Sequence, residues 1–325
     1  MKIVSCRPKL KMMKFFRYAS FFFLLLIIAC SSDKKEKTEP PRDEKEVYQE
    51  NLQEIEEFLA THFYYLDEQN GIHNYQRVKF DTISGENSHR TPLIEDEALK
   101  SKIVKTKKLE YKVYYLEIRK GHEDEYQPTF GDKVAITYRA TNMEGKVFAE
   151  SVNAEAIDIP RTNHILFNMG RIRGTIAGIT EFKGGSGFEE NPDGTISYED
   201  DYGIGAVFIP SGLAYFQNPP LSISVKSYQP FIFSFQLYKA IQMDHDNDGI
   251  PSYMEDLEGY ENLYNTDTDK DGVPNFLDSD DDGDGVPTRE EIIIHETDKD
   301  WLTPDDIEFP DSNNSGIPDY LDPKS

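Results

Sequence analysis

Four acidic segments near the C-terminus carry the residues with the clearest chemistry. Each has oxygen-bearing side chains at its first, third and fifth positions, Gly at the sixth, Ile or Val at the seventh, Pro at the eighth and a carboxylate at the twelfth. Calcium takes about six to eight oxygen ligands in flexible geometry, so one short loop of this kind can hold an ion. The predicted metal ligands are Asp244, Asp246, Asp248, Glu255, Asp267, Asp269, Asp271, Asp278, Asp280, Asp282, Asp284, Glu291, Asp311, Asn313, Ser315 and Asp322.

The segments are DHDNDGIPSYME (loop one, from Asp244), DTDKDGVPNFLD (loop two, from Asp267), DDDGDGVPTREE (loop three, from Asp280) and DSNNSGIPDYLD (loop four, from Asp311). A disordered acidic tail is the alternative. The recurrence of one register, including G-[IV]-P, favours metal loops. Loop three begins two residues after loop two ends, which leaves no room for the flanking helices of an EF-hand. The array resembles thrombospondin type 3 repeats, which wrap calcium, and loop four, with the fewest carboxylates, is predicted to be the weakest site.

The composition excludes several other functions. The chain has a formal net charge of −25, and residues 244–325 hold 26 Asp and Glu against four Lys and Arg. Nucleic-acid binding depends on clustered basic residues, so a nucleic-acid partner is excluded. Both cysteines, Cys6 and Cys30, lie near the N-terminus, and the seven histidines show no ligand spacing. Thiolate, disulfide and zinc chemistry are therefore not expected in the body of the protein.

Upstream of the array, the pattern changes to alternating, aromatic-rich strands. They read KVYYLEIRKG, GDKVAITYRATNMEGKVFAES, DYGIGAVFIPSGLAYF and PFIFSFQLYKA. Over about residues 110–241 these blocks resemble FKBP-type peptidyl-prolyl isomerases, which share the G-D-x-V-x-V-x-Y opening, the I-P-x-x-L-A-Y segment and the closing strand. The resemblance implies a half-open antiparallel sheet wrapped on a short helix, with an apolar pocket for proline-containing polypeptide clients.

The same resemblance implies the site residues. Tyr138, Phe148, Tyr215 and Phe233 fall on the family's pocket aromatics, and Ile176 falls on the residue whose backbone N–H meets the substrate carbonyl. Each aromatic residue could instead be an ordinary core residue, because strands of a small barrel bury such side chains.

Three departures from the family pattern leave a second interpretation open. Ala149 stands where the family has an acidic residue, with Glu150 displaced by one position and predicted to face the other way. Ile179 stands where the family commonly has Trp, and residues 186–205 are interpreted as an insertion beside the site. The domain could therefore be an inactive scaffold in a calcium-stabilised surface, adhesion or motility protein.

A helix is predicted upstream of the strands. Apolar residues at Tyr48, Leu52, Ile55, Leu59 and Phe63 recur on one helical face and predict a helix that packs on the next domain. A separate binding surface and self-association are the alternatives.

The N-terminus is typical of an export signal. Basic residues up to Arg17 precede an apolar run from Phe21 to Ala29, which is too short to span a bilayer. The residues Ile27-Ile28-Ala29-Cys30 resemble a bacterial lipobox, so Cys30 is the predicted lipidation site. An ordinary secretory signal is the alternative. Residues 31–43 have the composition of a solvated tether.

These observations predict an α+β protein in five parts. They are a lipoprotein signal peptide (1–29), a tether (30–43), a helical lead-in (44–108), an FKBP-like domain (109–241) and irregular calcium-binding repeats (242–325). The predicted function is a prolyl isomerase or chaperone of the bacterial cell envelope, lipid-anchored in the outer membrane, with calcium as its cofactor.

Overall fold

A six-stranded antiparallel sheet organises the chain. The computed structural model describes residues 40–68, 76–167, 172–221 and 223–325, and residues 43–325 form one compact unit. In chain order its helices and strands are α1 (Glu44–Thr61), β1 (His62–Glu68), β2 (Gln76–Thr82), β3 (Leu99–Lys105), β4 (Glu110–Arg119), β5 (Lys133–Asn142), β6 (Val147–Asp158), α2 (Arg173–Ile179), β7 (Phe188–Glu190), β8 (Ile196–Tyr198), β9 (Gly203–Ile209), β10 (Phe231–Ile241), α3 (Thr288–Glu291), β11 (Ile293–Ile294) and β12 (Ile307–Glu308).

The sheet has the order β3-β4-β9-β10-β5-β6. Its central strand β10 alternates faces: Phe233 and Phe235 contribute to one core cluster, and Ile232 and Tyr238 contribute to a second on the opposite face. The predicted α+β class, an antiparallel sheet wrapped on a short helix, is confirmed. Strand β3 joins this sheet although the sequence placed its residues in the lead-in.

Helix α2 packs against β9 on the face of the sheet that carries Phe233 and Phe235, the first face. Two glycines spaced four residues apart, Gly174 and Gly178, line the contact side of this short helix. A Cβ atom at Gly174 would collide with Ile209, and one at Gly178 would collide with Val207. The glycines therefore permit the close approach of helix and strand.

Helix α1 covers the opposite face of the sheet, which carries Ile232 and Tyr238, the second face. The Asp43 carboxylate caps it by accepting the Glu46 N–H at 2.9 Å, and its buried apolar side chains include Ile55 and Leu59. The helix ends at Thr61, so Phe63, predicted to be on the helical face, lies instead in β1. The aromatic residues Phe63, Tyr64 and Tyr65 after Thr61 favour an extended backbone. The predicted packing of the lead-in helix on the sheet is what the structure shows.

A buried amide fixes α1 in place. The Asn51 side-chain carbonyl accepts hydrogen bonds from the Ser211 backbone N–H at 2.8 Å and the Ser211 hydroxyl at 2.6 Å. Its amide nitrogen donates to the Tyr228 carbonyl at 2.8 Å. Because a buried amide is costly when unpaired, these bonds specify how α1 sits on the sheet.

The repeat array, residues 242–325, is mostly irregular and packs on the sheet domain. Phe276 of loop two is fully buried and belongs to the first core cluster, as does Leu263 upstream of the loop. The array also has a small apolar cluster of its own, made of Ile250, Ile292, Ile307 and Tyr320.

Polar contacts complete this junction. The buried Asp132 carboxylate accepts the Met243 N–H at 3.0 Å and the Tyr126 hydroxyl at 2.8 Å. Within the array, the side chain of Gln242, directly after β10, exchanges two hydrogen bonds with the backbone of Leu302, at 2.8 and 2.7 Å. The array and the sheet domain are therefore one packed body.

Candidate functional site

The predicted pocket residues come from five elements on the first face of the sheet. Tyr138 lies on β5, Phe148 on β6, Ile176 on α2, Tyr215 in the turn after β9 and Phe233 on β10. All five belong to or pack against the same core cluster. The fold therefore brings together residues that are up to 95 positions apart in sequence, as the separation of Tyr138 and Phe233 illustrates.

Tyr138 and Phe233 form the inner part of this group. Their rings stack at 5.9 Å between centroids, and the ring of Phe167 contacts both edge-on. Phe233 is fully buried and Tyr138 retains only 7% of its exposure. A ligand could reach Phe233 only by displacing its neighbours.

The Tyr138 hydroxyl already has a partner. Nδ1 of His164 accepts the Leu166 N–H at 3.2 Å, so in the neutral ring Nε2 carries the proton and donates to the Tyr138 oxygen at 2.8 Å. Burial lowers the pKa of His164, which favours this neutral form, and burial raises the pKa of Tyr138 to about 12. Sequence reasoning missed His164 because it belongs to no spacing motif.

Phe148 and Tyr215 form the outer part, and both are only partly buried. They meet on the ring of Phe231, with centroids 5.3 and 6.3 Å from it respectively. The Tyr215 hydroxyl donates to the Ile165 carbonyl at 2.6 Å, and burial raises its pKa. An incoming carbonyl would have to replace Ile165 as the acceptor of this hydroxyl.

Helix α2 places its free backbone N–H groups one turn before Ile176. The helix begins at Arg173 with Ile172 as its N-cap, so Ile176 is the fourth helical residue. In a helix the N-cap and first three residues have unpaired N–H groups, whereas the fourth donates within the helix. The unpaired N–H groups of α2 therefore lie at residues 172–175, and Ile176, the residue predicted to meet the substrate carbonyl, follows directly after them.

The strand register confirms the orientation predicted for Glu150. Ala149 pairs with Ala140 and packs against the first core cluster. Glu150 forms an ion pair with Arg77 at 2.8 Å, while Arg139 lies at 3.9 Å. The aromatic group thus has no carboxylate at the family position.

The insertion folds into the hairpin β7–β8. The ring of Tyr198 at its end stacks on Tyr238 at 4.2 Å, and Tyr238 belongs to the core cluster on the second face. This contact lies across the sheet from the aromatic group, not beside it as the sequence predicted.

A cavity of about 310 Å³ also lies away from the aromatic group. It is bounded by the end of α1, by β2 and by the β5–β6 turn, with Phe58, Arg139 and Ile232 among its lining residues. None of the five predicted pocket residues lines it.

The four acidic loops share one hydrogen-bond scheme. The first carboxylate accepts the N–H of the sixth-position Gly, in the pairs Asp244–Gly249 (3.0 Å), Asp267–Gly272 (3.2 Å), Asp280–Gly285 (3.0 Å) and Asp311–Gly316 (2.9 Å). The fifth side chain accepts the N–H of the seventh residue in every loop. These glycines have φ between +86° and +103°, which only Gly adopts without penalty. Each loop therefore curls around the side chains at its first, third and fifth positions.

Three loops bring their carboxylates close enough to share an ion. In loops one, two and three, oxygens of the first, third and fifth side chains lie within 4.8 Å of one another. In loop four the Asn313 amide donates to Asp322 at 3.1 Å instead. Loop four has the fewest carboxylates at its ligand positions, two against four in each of the other loops.

A further acidic cluster crosses between loops. Asp248 and Glu255 of loop one meet Asp281 of loop three, with all three buried. Burial, reinforced by the neighbouring carboxylates, raises the pKa of Glu255 to about 11 and that of Asp281 to about 8. Asp281 lies at an even loop position, so the twelve-residue register did not predict it.

The predicted lipidation site lies outside the residues that the structure describes. Cys30 and the signal segment precede residue 40, where the described structure begins. No helix among the described residues is long and apolar enough to cross a bilayer.

Comparisons with known proteins complete these observations. A family model described as BamM C-terminal matches residues 245–310. A search of curated proteins found no match. A peptidyl-prolyl cis-trans isomerase from Pseudomonas syringae pv. tomato is 16% identical, over 39% of this chain and 74% of its own, with a TM-score of 0.29. FkpA from Escherichia coli is 14% identical, over 72% and 75%, with a TM-score of 0.34.

A multi-domain immunophilin from Arabidopsis thaliana is 14% identical, over 46% of this chain and 48% of its own, with a TM-score of 0.32. The N-terminal domain of FKBP42 from Arabidopsis thaliana is 13% identical, over 43% of this chain and 91% of its own, with a TM-score of 0.31.

Proposed function

We propose that this chain is a membrane-anchored prolyl isomerase or chaperone of the cell envelope, carrying a calcium-stabilised repeat array. The observation that carries the proposal is the convergence of Phe148 and Tyr215 on Phe231, at the partly exposed side of an otherwise buried aromatic group. Such a surface can receive a proline ring, which is apolar and has no N–H to satisfy.

The chemistry needs no covalent bond. The barrier to rotation about the amide, about 18–20 kcal/mol, arises from resonance. A site that binds the twisted amide better than either planar form lowers it. The aromatic side chains would remove water from the bond, and the N–H groups at the start of α2 would hold the client carbonyl.

A second candidate function is supported by specific contacts. The Tyr215 and Tyr138 hydroxyls are both engaged within the protein, and Ala149 replaces the carboxylate of the family pattern. These features favour an inactive scaffold in a calcium-stabilised surface protein. The two functions differ in one measurable property, the rate of prolyl isomerisation.

In millimolar calcium, the full-length protein should isomerise a Leu-Pro or Phe-Pro peptide faster than the background rate without protein. We expect Tyr215→Ala and Phe148→Ala each to lower kcat/KM by about tenfold or more, the equivalent of at least about 1.4 kcal/mol of transition-state binding. Phe188→Ala is the matched control, because Phe188 is 60% exposed on the β7–β8 hairpin. A wild-type rate equal to background at micromolar protein would establish the scaffold function. Ala149→Asp should raise any weak activity.

Anchoring is tested by Cys30→Ser. Loss of the acylated side chain should move the protein from the membrane to the soluble fraction, because stable anchoring depends on attached acyl chains. Metabolic labelling with palmitate should mark the wild type and not the variant. A variant that stays on the membrane, beside an unlabelled wild type, would contradict lipidation.

A further inference from the structure

The cluster that crosses between loops one and three is built from three carboxylates that lack partners. Asp248, Glu255 and Asp281 each place an oxygen within 4.8 Å of the other two, and their exposed fractions are 1%, 2% and 2%. Asp281 is held by its own backbone, whose N–H donates to the Thr288 hydroxyl at 3.1 Å. The position of its side chain therefore depends on loop three and not on the other carboxylates.

The oxygens of this cluster are unsatisfied. Both side-chain oxygens of Glu255, both of Asp281 and one of Asp248 are buried without a hydrogen-bond partner. Among the described residues no basic side chain forms an ion pair with these three, although the charge of Arg289 acts on Asp248. Buried polar atoms are nearly always paired in native proteins, and buried like charges repel strongly. Three converging carboxylates with five unpartnered oxygens between them indicate a missing positive charge.

We propose that a second calcium ion binds between loops one and three, held by Asp248, Glu255 and Asp281, beside the ion of loop one. This inference rests on the proposed calcium array and adds a site that the twelve-residue register does not contain. The three carboxylates supply at least three of the roughly six to eight oxygen ligands that calcium takes, whereas zinc prefers nitrogen and sulfur.

The two neighbouring ions share one residue. Asp248 is the fifth-position ligand of loop one, and its Oδ1 atom already accepts the Ile250 N–H at 2.7 Å. Its unpartnered Oδ2 atom is free for metal. Glu255, the twelfth residue of loop one, belongs to the cross-loop cluster, while the loop-one cluster contains Asp244, Asp246 and Asp248. The second ion would therefore clamp loop one to loop three, with loop two between them in sequence.

The test uses the full-length protein and calcium alone as the probe. Native mass spectrometry counts bound calcium in the wild type, in Asp281→Asn and in the control Asp298→Asn, whose side chain is exposed and outside every cluster. We expect Asp281→Asn to bind one ion fewer than the wild type, and Asp298→Asn to bind the same number.

Thermal unfolding gives a second readout. Asn has nearly the size of Asp, so Asp281→Asn should change Tm little in chelator and lower it in millimolar calcium, where a metal ligand is lost. Glu255→Gln should show the same calcium-dependent loss, which guards against misfolding of one variant. Unchanged stoichiometry in Asp281→Asn, or a Tm lowered equally in chelator and in calcium, would overturn the cross-loop site while leaving the loops intact. A wild type that binds no calcium would overturn the array proposal as well.

Discussion

Removing calcium should lower Tm of residues 43–325 by roughly 15 °C and open the array to protease. An ion that binds only the folded form stabilises it by about 2.7 kcal/mol per site at a hundredfold excess over its dissociation constant. The three loops with complete carboxylate triads would together contribute roughly 8 kcal/mol. About 2 °C per kcal/mol is typical of a domain of this size.

Limited proteolysis and thermal unfolding in calcium, magnesium or chelator provide the measurement. Magnesium should protect poorly, because it demands a tighter octahedron and loses water reluctantly. Asp280→Ala should remove the contribution of loop three, roughly a third of the calcium stabilisation, whereas Asp311→Ala should leave most of the protection, because loop four has no carboxylate triad. Equal digestion in all three solutions would mean that the loops are not metal sites.

Phe276→Ala should destabilise the sheet domain and the array together, by about 3–5 kcal/mol, the usual cost of truncating a buried phenylalanine. The side chain belongs to loop two, yet it is fully buried in the core cluster of the sheet. Its ring contacts those of His245 and Tyr264, at 5.6 and 5.1 Å. The cavity left by alanine would therefore open at the junction of the two parts.

The single tryptophan makes this loss measurable. Trp301 lies in the array, 5.5 Å from the ring of Tyr126 on the sheet domain, so its fluorescence reports on the junction. Urea unfolding followed by Trp301 and by far-ultraviolet circular dichroism should shift together in Phe276→Ala. Phe188→Ala, an exposed phenylalanine on β7, should shift neither. Unfolding of the array alone, with the sheet transition unmoved, would contradict the shared core.

Local sequence patterns predicted the lead-in helix and the long strands of the sheet domain. Alternation of apolar residues identified β4, β5 and β10, and one register identified four acidic loops with equivalent hydrogen bonds. The end of α1 was harder, because Phe63 continues the helical spacing although its backbone is extended. Periodicity reports which side chains are buried, and a buried strand residue can fall on a helical spacing by position alone.

Contacts between distant segments could not be read from the sequence. Asp281 breaks the odd-position rule of the loops and meets Glu255 only through the fold. The unpaired N–H groups of α2 depend on where the helix begins, and they lie at residues 172–175, directly before Ile176. Phe276 resembles any apolar residue of a repeat until its burial against the sheet is seen. Each of these depends on tertiary packing, which no local spacing encodes.

The placement of α1 has a consequence for the order of folding. Helix formation is local and fast, so this segment can become helical soon after synthesis. Asn51, however, finds its partners only at Ser211 and Tyr228, which are 160 and 177 residues further along the chain. Contacts of such long sequence separation slow folding, because the intervening loop must be closed first. We therefore expect α1 to cover the second face late in folding. Until then the apolar side chains of that face are exposed, and exposed apolar strands promote aggregation unless folding is fast or a chaperone binds them.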